Sequence, residues 1–135
     1  MKKLNKVLLF ATLSAILMLA ACRTSPVYNV HNAAIPNMAQ EPLTMQDIEG
    51  AIVKAGTGLG WNMRPVKPGL IEATLNLRAH QAVANVTYDL TDYNIDYKSS
   101  HNLKYNGTKI HSNYNSWIQN LSSAINSQIS TAQYK

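Results

Sequence analysis

Cysteine is almost missing from this chain. Cys22 is the single one in 135 residues, so no intramolecular disulfide can form, whatever the redox state of the compartment. Charge is sparse as well, at 14% of side chains, and no block of like charges marks a disordered tail or a nucleic-acid-binding arm. No segment repeats, which excludes solenoids and arrays. The longest weakly polar run, "VLLFATLSAILMLAA" at residues 7–21, falls short of the about 20 apolar residues that a membrane-spanning helix needs. The length leaves room for one domain.

That run gains meaning from its flanks. "MKKLNK" before it is a basic leader, and the pair reads as a secretory signal peptide. "LMLAAC", residues 17–22, resembles the lipoprotein signal of bacteria, with a large apolar residue three positions before a cysteine and the small Ala20 and Ala21 between. The resemblance implies cleavage before Cys22 and attachment of a diacylglyceryl group to its sulfur through a thioether, with fatty acids such as palmitate. An ordinary secretory signal followed by a chance cysteine is the alternative. Two or more acyl chains would hold the protein firmly, since each buried methylene contributes about 0.8 kcal/mol. Arg23 stands where an Asp would favour retention in the inner membrane of enteric-type bacteria, so the outer membrane is expected, with the domain in the periplasm. Removing Lys2, Lys3 and Lys6 leaves 9 of the 12 basic side chains against 7 acidic ones, which lowers the formal charge from +5 to +2. The basicity of the whole chain therefore gives no support to a nucleic-acid partner.

Residues 22–43 carry three prolines and no sustained periodicity, which predicts a tether between the signal peptide (1–21) and a single α+β domain (44–135). Fully extended, such a segment would reach some 60 Å at about 3.3 Å per residue. Thr44 followed by Asp47 has the spacing of a helix N-cap with an acidic first turn. Met45, Ile48, Ile52 and Ala55 then form one apolar stripe, and Gly56 is expected to end the helix in a left-handed C-cap.

"AGTGLGW", residues 55–61, packs three glycines into five positions and so raises the question of a phosphate loop. Such loops follow a strand and open a helix, where free amides and the positive dipole end meet the anion. Here a helix precedes the glycines and a strand pattern follows. Neither Gly-Lys-Ser/Thr nor a sixth-position glycine is present, so the segment reads as a turn and no nucleotide is expected.

From Trp61 the apolar period becomes two. "WNMRPVK" predicts a first strand, placed at an edge by Pro65. "LIEATLNLR" alternates Ile71, Ala73, Leu75 and Leu77 against Glu72, Thr74, Asn76 and Arg78; "AVANVTYDL" puts Ala82, Ala84, Val86, Tyr88 and Leu90 inside, and "YNIDYK" Tyr93, Ile95 and Tyr97. A polar loop over residues 98–109 leads to a second helix carrying Tyr114, Trp117, Ile118, Leu121, Ile125 and Ile129. The order helix, four strands, helix predicts a two-layer α+β fold: an antiparallel four-stranded meander with both helices on its one apolar face.

Over most of this domain, the spacing "GW…PGLIEATLNLR" and "Y.I.YK…NYN.W..NL" resembles a family of small, functionally uncharacterised lipoproteins of Gram-negative bacteria. The resemblance implies the location and the fold, and no catalytic residue.

Residues with chemistry are scattered. His31, His80, His101 and His111 show no i, i+4 or H-x-H pair. A copper site adding Met38, Met45 and Met63 thus competes with a plainer role for His80 and His111 as turn or cap residues. Asp96, Ser99, Ser100 and His101 contain the residue types of a hydrolase without a nucleophile elbow. Tyr88, Tyr93, Tyr97, Tyr105, Tyr114, Trp61 and Trp117 could stack on cell-wall sugars, yet most fall on the predicted core side. What remains is the open sheet face. Asn76, Arg78, Asn85, Thr87, Asn94 and Asp96 are its candidate binding residues, flanked by Glu72, Thr74, Asp89 and Lys98. That face is either merely solvated or a docking surface. The expected function is that of a lipid-anchored, non-enzymatic interaction module without metal or cofactor. Binding of cell-wall glycan, or a small envelope hydrolase, are the alternatives.

Overall fold

In the computed structural model, residues 23–38 and 40–134 are described; the expected signal peptide and Cys22 lie outside them. The elements are β1 (Thr24–Pro26), β2 (Val30–Ala34), α1 (Met45–Gly58), β3 (Asn62–Lys67), β4 (Leu70–Leu77), β5 (His80–Tyr88), β6 (Asp92–His101), β7 (Lys109–His111) and α2 (Ser112–Ala132). The fold is α+β, with the helix, four antiparallel strands and helix in the order that the periodicities predict.

Thr44 starts α1 through a full capping box: its hydroxyl accepts from the Asp47 amide at 3.1 Å while the Asp47 carboxylate accepts from the Thr44 amide at 2.8 Å. The helix buries Ile48, Ala51, Ile52, Ala55 and Gly56. It runs two residues past the expected stop. Gly56 is helical, and a Cβ there would overlap the thioether of Met63 on β3, so this glycine allows the close approach of helix and strand rather than a left-handed cap. The left-handed position is Gly60, at φ +88°, where the chain turns into β3. The glycine cluster thus lies at the carbonyl end of α1.

Strands β3 to β6 form the meander, with β3 at one edge. Both helices cover the same face. Tyr88 and Tyr93 oppose each other across β5 and β6; the Tyr88 hydroxyl donates to Glu49 of α1 at 2.8 Å, and that of Tyr93 donates to Asn126 of α2 at 2.7 Å. Ile71, Ala73, Ala82, Ala84, Val86 and Ile95 fill the layer between, against Ile118, Leu121, Ile125 and Ile129. The small residues in mid-sheet let the α2 side chains approach, and burial of this surface is the main stabilising term.

The expected tether is the largest correction. Residues 24–26 pair with β7, and β2 pairs with β6 to become a fifth strand at the far edge, giving the order β2-β6-β5-β4-β3. Val30, Ile35 and Leu43 are buried in the core, so this segment is part of the domain. Each of its strands is too short to show a period of its own.

Smaller differences have similar causes. The alternation predicted inward positions for Leu77 and Leu90, but both lie beyond the last paired core residue and are exposed. The polar loop is shorter than expected, because β6 continues to His101, and it contributes Leu103 to the core. Trp117 is half-buried at the margin of the α2 stripe, whereas Trp61 is 4% exposed.

Candidate functional site

The face of the sheet opposite the helices is built from rows that cross the strands. One row runs Arg64, Glu72, Asn85, Asp96; a second Asn62, Thr74, Val83, Ser99; a third Leu70, Thr87, Asn94; a fourth Asn76, Gln81, His101. These side chains project outward because successive residues of a strand alternate between faces. In the first row Glu72 accepts from the Arg64 guanidinium at 3.0 Å and from the Lys98 ammonium. These two cations hold the Glu72 carboxyl below the usual carboxylate range, Lys98 having the larger effect. At the other end of the row the His31 Nε2–H donates to Asp96 Oδ1 at 2.8 Å. Asn85 stands between the two acids, opposite Glu72 on one side and Asp96 on the other.

Among the predicted binding residues, Asn85, Thr87, Asn94 and Asp96 are brought together. Asn94 donates to the Thr87 hydroxyl at 3.2 Å and accepts from the Asn32 amide at 2.8 Å, which locks β2 to the face. Asn76 accepts from Gln81 at 3.0 Å near one end. Arg78 is not on the face: it occupies the β4–β5 turn at φ +56°. Asp89 likewise sits in a turn, where its carboxylate accepts from the amides of Thr91 and Asp92. These amides lower its pKa, that of Asp92 most.

Arg64, Gln81 and His31 join the face without having been assigned to it from sequence. Arg64 and Gln81 sit at alternating positions of their strands, which was the available signal. His31 had none, because its strand pairs with residues 58 to 65 positions away.

A β-bulge at Lys98 separates the residues of the hydrolase reading. Tyr97 opposes Ala84 and Ser99 opposes Val83, so Lys98 is the extra residue. Beyond the bulge Ser100 faces the helices, its hydroxyl 2.8 Å from that of Tyr97, while His101 faces out and Asp96 binds His31. Ser100 therefore lies on the face opposite Asp96 and His101, whereas Ser99 shares their face.

The other histidines serve the backbone. His80 Nδ1–H donates to the Asn102 carbonyl at 2.7 Å, and His111 accepts from the Asn113 amide at 3.2 Å as the N-cap of α2. Among the described residues no group of three His, Cys, Asp or Glu side chains is placed to hold a metal ion. The aromatics Trp61, Tyr88, Tyr93 and Tyr114 are buried. Tyr97 lies between Tyr114, ring centroids 5.6 Å apart and edge-on, and the exposed Tyr105, 4.2 Å away.

The chain matches no protein-family model, no curated protein and no solved structure.

Proposed function

We propose that this chain is a lipoprotein of the bacterial outer membrane, anchored through Cys22 with its domain in the periplasm, and that it works as a non-enzymatic module whose open sheet face docks on another envelope protein. One observation carries the docking reading. A sheet face that neither helix covers presents fixed charges of both signs, Arg64–Glu72–Lys98 and His31–Asp96, around the amide of Asn85. Preset ion pairs and amides suit a polar protein surface, because their geometry is fixed before the partner arrives and complementary charge then selects it. A glycan would need flat rings to stack upon. Apart from His101, no residue in the four outward rows is aromatic. The lipid anchor is supported by the signal that ends at Cys22.

The test is a photo-cross-linking amino acid placed at Asn85 in living cells, with Gln119 on the exposed side of α2 as the comparison. A discrete protein adduct from position 85 and none from 119 is the expected result. Adducts with lipid or with the protein itself alone would remove the docking reading.

A further inference from the structure

The described fold already includes the residue that follows the proposed anchor. The Arg23 carbonyl accepts from the Ser112 amide at 2.9 Å, Thr24 pairs with His111, and Pro26 pairs with Lys109. Consecutive Cα atoms are about 3.8 Å apart, so a lipid on Cys22 leaves no spacer between bilayer and domain. Whatever surrounds Arg23 must meet the headgroups.

What surrounds it is basic. His111 donates its amide to Leu103, which places Lys104 and Tyr105 beside β7. The Asn102 carbonyl receives His80, and the Asn102 side chain reaches Ala79, which brings the β4–β5 turn with Arg78 to the same end. Arg23, Arg78, Lys104 and Lys109 are all exposed, and none of them forms an ion pair with a described residue. The carboxylates lie elsewhere. All seven fall between positions 41 and 96; Glu72 and Asp96 are mid-sheet, and Asp89 and Asp92 occupy the turn at the opposite end of β5. Glu41 and Asp47 flank Leu43, which shares a shallow apolar recess with Leu90 at that far end.

We propose that this basic end, formed by Arg23, Arg78, Lys104, Tyr105 and Lys109, sits directly on the anionic phospholipid headgroups of the membrane that holds the anchor. The proposal rests on the reading that Cys22 is lipidated. A lipid chain and a basic patch act together, since the chain brings the patch within a Debye length of the anionic surface. Tyr105, backed by the Tyr97 ring, is the kind of amphipathic side chain that settles at the headgroup level. Seating fixes the orientation of the domain, with the far β5–β6 turn held away from the bilayer by the nine-residue length of β5, about 30 Å.

The experiment uses the full chain purified from membranes with its lipid. Once the Cys22 sulfur is in a thioether, an introduced cysteine is the single free thiol. Ala79→Cys and Leu90→Cys, at the two ends of β5, are labelled with a fluorophore and placed in phosphatidylcholine vesicles, with or without phosphatidylglycerol, that contain a lipid with a nitroxide headgroup. Quenching at position 79 and none at 90 is the expected result in the phosphatidylglycerol vesicles. Lys104→Asn and Lys109→Gln should each lower the ratio of seated to lifted protein about fivefold there. Equal quenching at both ends, or at neither, in protein whose mass shows the lipid would overturn this proposal alone. A mass showing unmodified Cys22 would overturn the anchor reading and this proposal with it.

Discussion

The side-chain amide of Asn115, in the first turns of α2, donates to the Pro26 carbonyl at 2.8 Å. The same side chain donates to the Ser25 hydroxyl at 3.0 Å and accepts from the Tyr28 amide at 2.9 Å. One residue thus holds the start of the domain in place from 87 positions away. Asn115→Ala should speed hydrogen exchange at Tyr28 and across β1, and lower stability by about 1–3 kcal/mol through unpaired polar groups. Exchange at Tyr28 equal to that of the parent chain would show that β1 is held by its pairing with β7 instead.

Two buried tyrosines of α2 and β6 should respond differently to loss of the hydroxyl. Tyr93 has Asn126 and Ser122 as partners at 2.7 and 2.8 Å, so Tyr93→Phe should cost about 1 kcal/mol. The Tyr114 hydroxyl is buried without a hydrogen-bond partner among the described residues. Tyr114→Phe removes a desolvated polar group and should leave stability unchanged or raise it by about 1 kcal/mol. Denaturant midpoints of the two variants check this, and a loss at Tyr114 as large as at Tyr93 would contradict it.

Stability should fall at both extremes of pH. Burial raises the pKa of Tyr88, Tyr93 and Tyr114, with the Glu49 hydrogen bond adding to the effect at Tyr88. Above about pH 10 the unfolded chain gives up these protons while the fold retains them, so stability declines as pH rises through the folded values. Glu72 and Asp89 behave in the reverse sense. Their pKa values are lowered in the fold, so below about pH 4 the unfolded chain binds protons first and stability is lost as pH falls. Urea titrations at about pH 3, 7 and 10.5 should give the largest midpoint at 7, and Tyr114→Phe should flatten the alkaline side.

The two tryptophans differ in burial and should differ in cost. Trp61→Ala should lose about 3–5 kcal/mol, a large part of the total for a domain of this size. Trp117, half-buried, should lose about 1–2 kcal/mol. Asn76→Ala, at the exposed end of the open face, should change stability by under about 0.5 kcal/mol. If the order of the two tryptophans were reversed, the margin of the core would lie elsewhere.

Local signals account for what could be read in the sequence. Thr44 with Asp47, and the alternation over Ile71–Leu75 and Ala82–Tyr88, are set by neighbours within a few residues, and both appear in the structure as predicted. The open face followed from the same alternation, and its members Asn85, Thr87, Asn94 and Asp96 are adjacent. Long-range pairing was not legible. Val30 looks isolated among prolines and asparagines until β6 supplies its partner strand. The bulge at Lys98 was also hidden, because it is a mismatch between two strands rather than a property of either. It decides that Ser100 faces the helices while Ser99 and His101 face out. Trp117 was misplaced because helical period defines a stripe but not its width.

Docking and seating both depend on the state of Cys22. The most direct measurement is the mass of the N-terminal peptide of the protein taken from membranes. A peptide beginning at Cys22 with a thioether-linked diacylglyceryl group is predicted. Correspondingly, Cys22→Ala should accumulate as full-length precursor that takes up no labelled fatty acid. A free thiol at Cys22, or normal cleavage of the Cys22→Ala chain, would contradict the account.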